Sequence, residues 1–339
     1  MRSRLLFCLL ICLLLPACAG KTPPPPPAKE VTPLDAAIAI QEKRFRHDLI
    51  KWGALASERI LRISHGILAG NTELCGERTT YGLGLVFLDI KSFKGDTQWL
   101  RKWWGLDERA MVFAILPNGP EWNAGIRHGD VVQSVTGQPV ATRKEAGAAI
   151  SAALRGGAGK PVALGLDRDG VPYFVSIAPK RMCDCNVGIW QRQSVAVFQN
   201  DQGFELGLGL LSFASKDEDL AVIIGHELAH QMLGHEKNVG WGQLGKLFAE
   251  LFTGGGYGEP YTLEQEIQAD RLGFYYAARA GFSLDRAPGI WKRLAAAMVH
   301  PDAVTKNRPY FASDEREKAL TAVREEIMAK IQAGQPLVP

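Results

Sequence analysis

From Leu34 to Leu68, apolar residues recur at Ile38, Phe45, Leu49, Leu55, Ile60, Ile63 and Ile67 among Glu, Lys and Arg. Positions three and four apart share one helix face, so this spacing predicts a long amphipathic helix. Gly70-Asn71 ends it. Over residues 81–180 the pattern changes to short β-like runs with glycine punctuation. Strands are predicted at Gly82–Ile90, Ala110–Leu116, Asp130–Val135, Pro161–Leu166 and Val171–Ile177, with Asp169-Gly170 as a hairpin turn. One helix interrupts them, opened at Thr142 with Glu145 three residues on, a capping box. The helical pattern returns further on. Ser215 and Glu218 read as a capping box ahead of a nearly apolar helix through Leu220, Val222, Ile223, Leu228 and Met232. Thr262 and Gln265 read as another, ahead of Ile267, Ala269, Leu272 and Phe274. The expected class is α+β: a mainly helical domain with a small β-rich insert.

The chain has 339 residues, 46% hydrophobic, enough for about two domains with real cores. A net charge of +3, with both signs mixed, gives no nucleic-acid footprint. The N-terminus is not fold. Arg2 and Arg4 precede the apolar run Leu5–Leu15, which falls short of the about 20 residues a membrane span needs. The LPAC that follows, Leu15 to Cys18, resembles the lipobox of a bacterial lipoprotein signal. The resemblance implies that residues 1–17 are removed and that Cys18 is lipidated and holds the protein to a membrane. Ala19 is not the Asp that resembles an inner-membrane retention signal, so outer-membrane attachment facing the periplasm is expected. Residues 18–33 carry five consecutive prolines, a polyproline tether for the folded part. Cys75, Cys183 and Cys185 remain in the mature chain. In an oxidising compartment they predict one disulfide and one leftover thiol. The CDC of residues 183–185 alone is a poor zinc signature and reads as structural.

The chemistry sits in IIGHELAHQMLGH, residues 223–235. His226 and His230 are i and i+4, so a helix puts both imidazoles on one face, with Glu227 beside them. This is H-E-x-x-H: two zinc ligands and a carboxylate that takes a proton from water. His235 is about half a turn out of phase and cannot join the same metal on a straight helix. Glu266 and Asp270 form a second i, i+4 pair. A carboxylate ligand, with another carboxylate below it to hold a ligand imidazole, is what a His–His–Glu site requires.

Two resemblances gather these features. GPEWNAGIRHGDVVQSVTGQPV, Gly119 to Val140, is similar to the signature of PDZ domains. Gly82, Leu83, Gly84 and Leu85 resemble the loop with which such domains receive a peptide carboxylate on backbone N–H groups. A peptide would then add as a strand between Leu85–Ile90 and the Thr142–Leu154 helix. The stretch carrying Trp99, Trp103 and Trp104 either covers or extends that groove. PDZ-like domains bring their termini together, so Cys75 and Cys183, on either side of residues 81–180, are expected to bond, with Cys185 as the rival partner.

His226-Glu227-Leu228-Ala229-His230, followed by Glu266-Ile267-Gln268-Ala269-Asp270, resembles the zinc metallopeptidase family of HtpX, the Oma-type proteases, the CaaX prenyl proteases and the BepA-like proteases. The family pattern is H-E-x-x-H then E-x-x-A-D. The likeness covers about residues 34–75 and 183–325, the peptidase part extending to about 330. It implies a zincin domain with one Zn2+ per chain on His226, His230 and Glu266. Glu227 would be the general base, and Asp270 would support a ligand. The family's downstream His-Pro and Arg are matched only in part. Arg316 stands in the Arg position and Tyr310 where the His would fall. Tyr310 and Arg316 are thus candidates to meet oxyanion or substrate, Arg316 being equally readable as a surface salt-bridging residue. The glycine-rich segment 236–261 reads as a flap over the cleft or a linker. Together these imply an envelope endopeptidase acting on protein or peptide substrates such as misfolded envelope proteins. The rival expectation is a peptide-binding or chaperone-like lipoprotein whose protease site is latent.

Overall fold

The computed structural model describes residues 32–93, 97–190, 195–200, 202–235, 261–298 and 311–339. Cys18, the proline tether up to residue 31, Tyr310 and segment 236–260 lie outside the described residues. The chain divides into two units, residues 1–49 and 50–339. In the first, the described residues 33–49 form turns of helix α1, whose bounds are Pro33–Gly70. The predicted helix and its stop are therefore found. The remainder concerns the second unit.

There the chain passes through β1 (Thr79–Gly82), β2 (Leu85–Leu88), α2 (Gln98–Trp104), β3 (Met111–Ile115), α3 (Pro120–Asn123), β4 (Val131–Val135), β5 (Gln138–Pro139), α4 (Arg143–Gly157), β6 (Val162–Arg168), β7 (Val171–Ile177) and β8 (Lys180–Cys183). Strands order as β2-β3-β4-β6-β7, antiparallel throughout, with β5 on β4. The capping box forms as expected: Thr142 accepts from the Glu145 N–H, and Glu145 reaches back. The strand expected over Gly82–Ile90 is instead two. Glycine at 84 is obligatory, because a Cβ there would meet Leu116 Cβ at 2.5 Å. The chain breaks at that point, β1 pairing β8 and β2 pairing β3.

The insert has a core of Val112, Ile115, Val132, Val135, Ile150, Leu164 and Leu166. On β3 the alternate residues Met111 and Phe113 point the other way, into a cluster with Leu100, Trp99 and Trp104. The tryptophan stretch therefore packs on the sheet face opposite α4, rather than in the cleft between β2 and α4. Asp130 is fully buried at the start of β4. Burial alone would raise its pKa. Hydrogen bonds from Arg168, Tyr173 and the Arg127 N–H outweigh that and hold it low.

The insert leaves and rejoins the helical part through the β1–β8 ladder, Thr79 opposite Cys183. Cys75 and Cys183 are disulfide-bonded, Cα–Cα 5.7 Å, and Cys185 is buried and free. The chain continues through β9 (Asn186–Trp190), β10 (Val197–Asn200) and β11 (Gly203–Gly207), a sheet ordered β10-β11-β9. Then come α5 (Leu208–Phe213), α6 (Asp217–Leu233), α7 (Leu263–Arg279), α8 (Ile290–Ala297) and α9 (Asp314–Gln332). The expected cap at Ser215 is displaced. The N-cap is Lys216, whose side chain makes no capping bond, and Asp217, Glu218 and Asp219 complement the helix dipole in the first turn. Ile63 and Ile67 of α1, Val222 and Ile223 of α6, Phe274 and Tyr276 of α7 and Trp291 of α8 share one core.

The disulfide closes a sequence separation of 108 residues. Loops of about that length stabilise by restricting the unfolded chain, typically by about 2–4 kcal/mol. Cys75→Ala with Cys183→Ala should lower the denaturant midpoint accordingly, and peptide mapping should recover Cys75 joined to Cys183 with Cys185 free. An unchanged midpoint would contradict this.

Candidate metal centre

Glycine sets the distance between the two helices that carry the motifs. A Cβ on Gly225 would lie 2.5 Å from the Gly273 carbonyl oxygen, and one on Gly273 would lie 2.7 Å from the His226 nitrogen. The backbones of α6 and α7 touch, so side chains one and two turns up α7 meet those on α6.

At that crossing, His226 Nε2 and His230 Nε2 are 3.0 Å apart. Glu266 Oε2 lies 3.4 Å from the first and 3.9 Å from the second. Tetrahedral ligands at zinc's usual bond lengths of about 2.0–2.2 Å are separated by about 3.3–3.6 Å, so the three atoms fit one ion. They are the one His/Cys/Asp/Glu group of this kind among the described residues. Both imidazoles are buried, and Glu266 is largely so. Glu227, next along α6, is half-buried and outside the trio. Its Oε2 accepts from Gln199 Nε2 at 2.5 Å, and Gln199 Oε1 accepts from the Tyr261 hydroxyl at 2.5 Å. Tyr261 also stacks on the His230 ring at 3.8 Å.

Below the trio lies Asp270, also buried. Its Oδ1 is 2.9 Å from His226 Nδ1, an ion-pair contact rather than an in-line hydrogen bond. Trp291 Nε1 donates to the same oxygen at 2.9 Å. Arg316, 1% exposed, donates to Asp270 from Nε at 2.6 Å and from Nη2 at 2.9 Å, and its Nη2 is 2.8 Å from Glu266 Oε2. Its guanidinium also lies over the Trp291 ring. Arg316 is thus no surface residue, and its donors are directed at ligand-side carboxylates and the Phe311 carbonyl. Burial, the largest single influence, would raise both carboxyls, but the Arg316 charge together with the contacts from His226 outweighs it and holds Glu266 and Asp270 down at about 2. Burial likewise opposes charge on the histidines. Asp270 and Glu266 overcome it at His226, which is raised, whereas His230, facing the His226 charge, is lowered.

α6 ends at Leu233, and Gly234 turns left-handed at φ 67°. His235 consequently folds back, its Nδ1 2.9 Å from His230 Nδ1 and its Nε2 3.2 Å from Gln268 Oε1. It touches the outer nitrogen of a trio member without joining the trio. Arg78, just before β1, donates to the Gln231 and Met232 carbonyls and so ties the end of α6 to the base of the insert. Gln199, Tyr261, Trp291 and Arg78 were not predicted. None has a motif spacing, and each arrives from a separate element.

In the insert, Gly82, Leu83, Gly84 and Leu85 run from the last residue of β1 to the first of β2. The Gly84 N–H is taken: it donates to Glu121 Oε1 of α3 at 2.8 Å. Glu121 is 2% exposed.

No family model matches the chain, and no curated protein matches it. Among solved structures, the chain is similar to a crystal structure of the HtrA3 PDZ domain bound to a phage-derived ligand, FGRWV. Identity is 23% and TM-score 0.24, over 30% of this chain and 88% of that one. It is also similar to a PDZ domain protein from Parabacteroides distasonis, at 18% identity and TM-score 0.23, over 30% of this chain and 20% of that one.

Asp270→Ala should cost about 3–5 kcal/mol of stability, because it strips a buried guanidinium of its main partner. Chemical denaturation checks this. A loss below about 1 kcal/mol would show that Arg316 does not depend on Asp270.

Proposed function

We propose that the chain is a zinc-dependent endopeptidase of the bacterial cell envelope, anchored through a lipid on Cys18 at the outer membrane and facing the periplasm. Its substrates would be misfolded or misassembled envelope proteins, selected or regulated through a PDZ-like insert. The observation that carries the reading is the convergence of His226, His230 and Glu266 with Glu227 alongside. Zinc held there would supply the Lewis acidity that makes water acidic and favours an oxyanion.

The chain's own residues account for the rest. Glu227, half-exposed beside the trio, is placed to take a proton from the attacking water and pass it to the leaving amine. Gln199 and Tyr261 hold its carboxylate in one orientation. Asp270, fixed by Arg316 and Trp291, keeps the His226 ring turned so that Nε2 faces the trio. For the insert, the support is the outer edge of β2, unpaired among the described residues. Leu85 and Phe87 pack against the same core as Ala149, Ala153 and Leu154 of α4, all half-buried, so a strand added on that edge would meet apolar side chains.

The test measures zinc per chain and the cleavage of an unfolded protein such as casein. Wild type should bind one zinc and cleave. Glu227→Gln should keep the zinc and lose at least about 100-fold in rate, the usual order for a general base. Zinc without cleavage in wild type would favour a binder with a latent site, and absence of zinc would overturn the ligand set.

A further inference from the structure

The β-rich insert holds a buried acid that the metal chemistry does not use. Glu121 sits on the short helix α3, 2% exposed, and aims at the turn before β2. Its Oε1 takes the Gly84 N–H at 2.8 Å. Its Oε2 is buried and has no hydrogen-bond partner among the described residues. That oxygen lies where a Cβ on Gly84 would come within 2.9 Å, and one on Gly119 within 3.1 Å. The two glycines therefore make the space that the carboxylate occupies. A carboxylate in such a place is costly unless something uses it.

The place is informative. Gly84 immediately precedes β2, whose outer edge is unpaired among the described residues. A strand adding along that edge has one of its ends at the Gly84 turn. Free backbone N–H groups at such a turn capture a terminal carboxylate. Here the protein's own carboxylate already holds the Gly84 N–H, and a second negative charge a few Å away would be repelled in a partly desolvated site. A ligand group without charge at that point, such as a mid-chain peptide unit or a carboxamide, escapes the repulsion.

We propose that Glu121 seats itself where a ligand carboxylate would bind. The β2–α4 cleft then selects extended segments internal to a polypeptide and rejects free C-termini. The inference rests on the reading of this cleft as a peptide site. It predicts that the insert engages chains along their length, as an unfolded substrate presents them, rather than at freshly exposed ends. Discrimination arises from a repulsive element, the contacts along the strand being common to both kinds of ligand.

The test needs no variant in its first arm. Fluorescein-labelled hexapeptides ending in Val, Leu or Phe are made as free carboxylates and as carboxamides. Their binding to the full chain is followed by anisotropy with a chelator present to prevent cleavage. On wild type the carboxamides should bind at least about tenfold more tightly, the discrimination one uncompensated charge typically gives. Glu121→Gln, which keeps the shape and removes the charge, should bring the two forms within about threefold by strengthening the carboxylates. Glu121→Ala gives a second variant should the amide fold poorly. Equal or tighter binding of free carboxylates to wild type overturns the proposal and leaves the peptide site standing. If neither form binds any of the chains, the cleft is not a peptide site, and both readings fall.

Discussion

The contact between Gly225 and Gly273 is the constraint on which the centre depends. Two helices rarely approach closely enough for backbone to meet backbone, and any side chain at either position would push them apart. Because they do meet, a pair of histidines one turn apart on α6 comes within coordinating distance of a carboxylate two turns up α7. The glycines are costly for helix stability in themselves. They are tolerated inside a nearly apolar core, where Val222, Ile223, Phe274 and Tyr275 are almost completely excluded from water.

Such a core cannot hold bare charge, so the site is built as a chain of compensations. Arg316 neutralises Asp270 and Glu266, Asp270 braces His226, and Trp291 supplies a further donor and a ring face for the guanidinium. Arg316 comes from α9, far along the sequence, so the C-terminal helix is part of the centre. The other flank is tied to the insert. Arg78 lies between the disulfide and the first strand of the insert and bonds the last carbonyls of α6. The junction of the β-rich part and the end of the histidine helix are thus one structural unit.

Much of this was legible in the chain. The i, i+4 spacings of His226 with His230 and of Glu266 with Asp270 report helix faces directly, and those faces meet. Capping boxes at Thr142 and Thr262 are local signals and were found in place. The resemblance of the insert to a domain with adjacent termini pointed to a Cys75–Cys183 bond with Cys185 as the rival, and the structure has the first pairing. What was not legible depends on tertiary approach. Nothing in the surroundings of Gln199 says that β10 brings it to Glu227. Nothing in the GLGL of residues 82–85 says that Glu121 lies against it. Arg316 read equally as surface or site, because burial of a lone arginine is decided by partners 46 and 50 residues away. Ser215 failed as a cap because the helix begins two residues beyond it, and its acidic first turn provides the compensation instead.

The most direct test is anomalous diffraction from crystals of the protein grown with zinc, recorded on both sides of the zinc edge. The account predicts one strong peak per chain, about 2.0–2.2 Å from His226 Nε2, His230 Nε2 and a Glu266 oxygen. A peak bound elsewhere, or no peak with those three side chains in place, would contradict it.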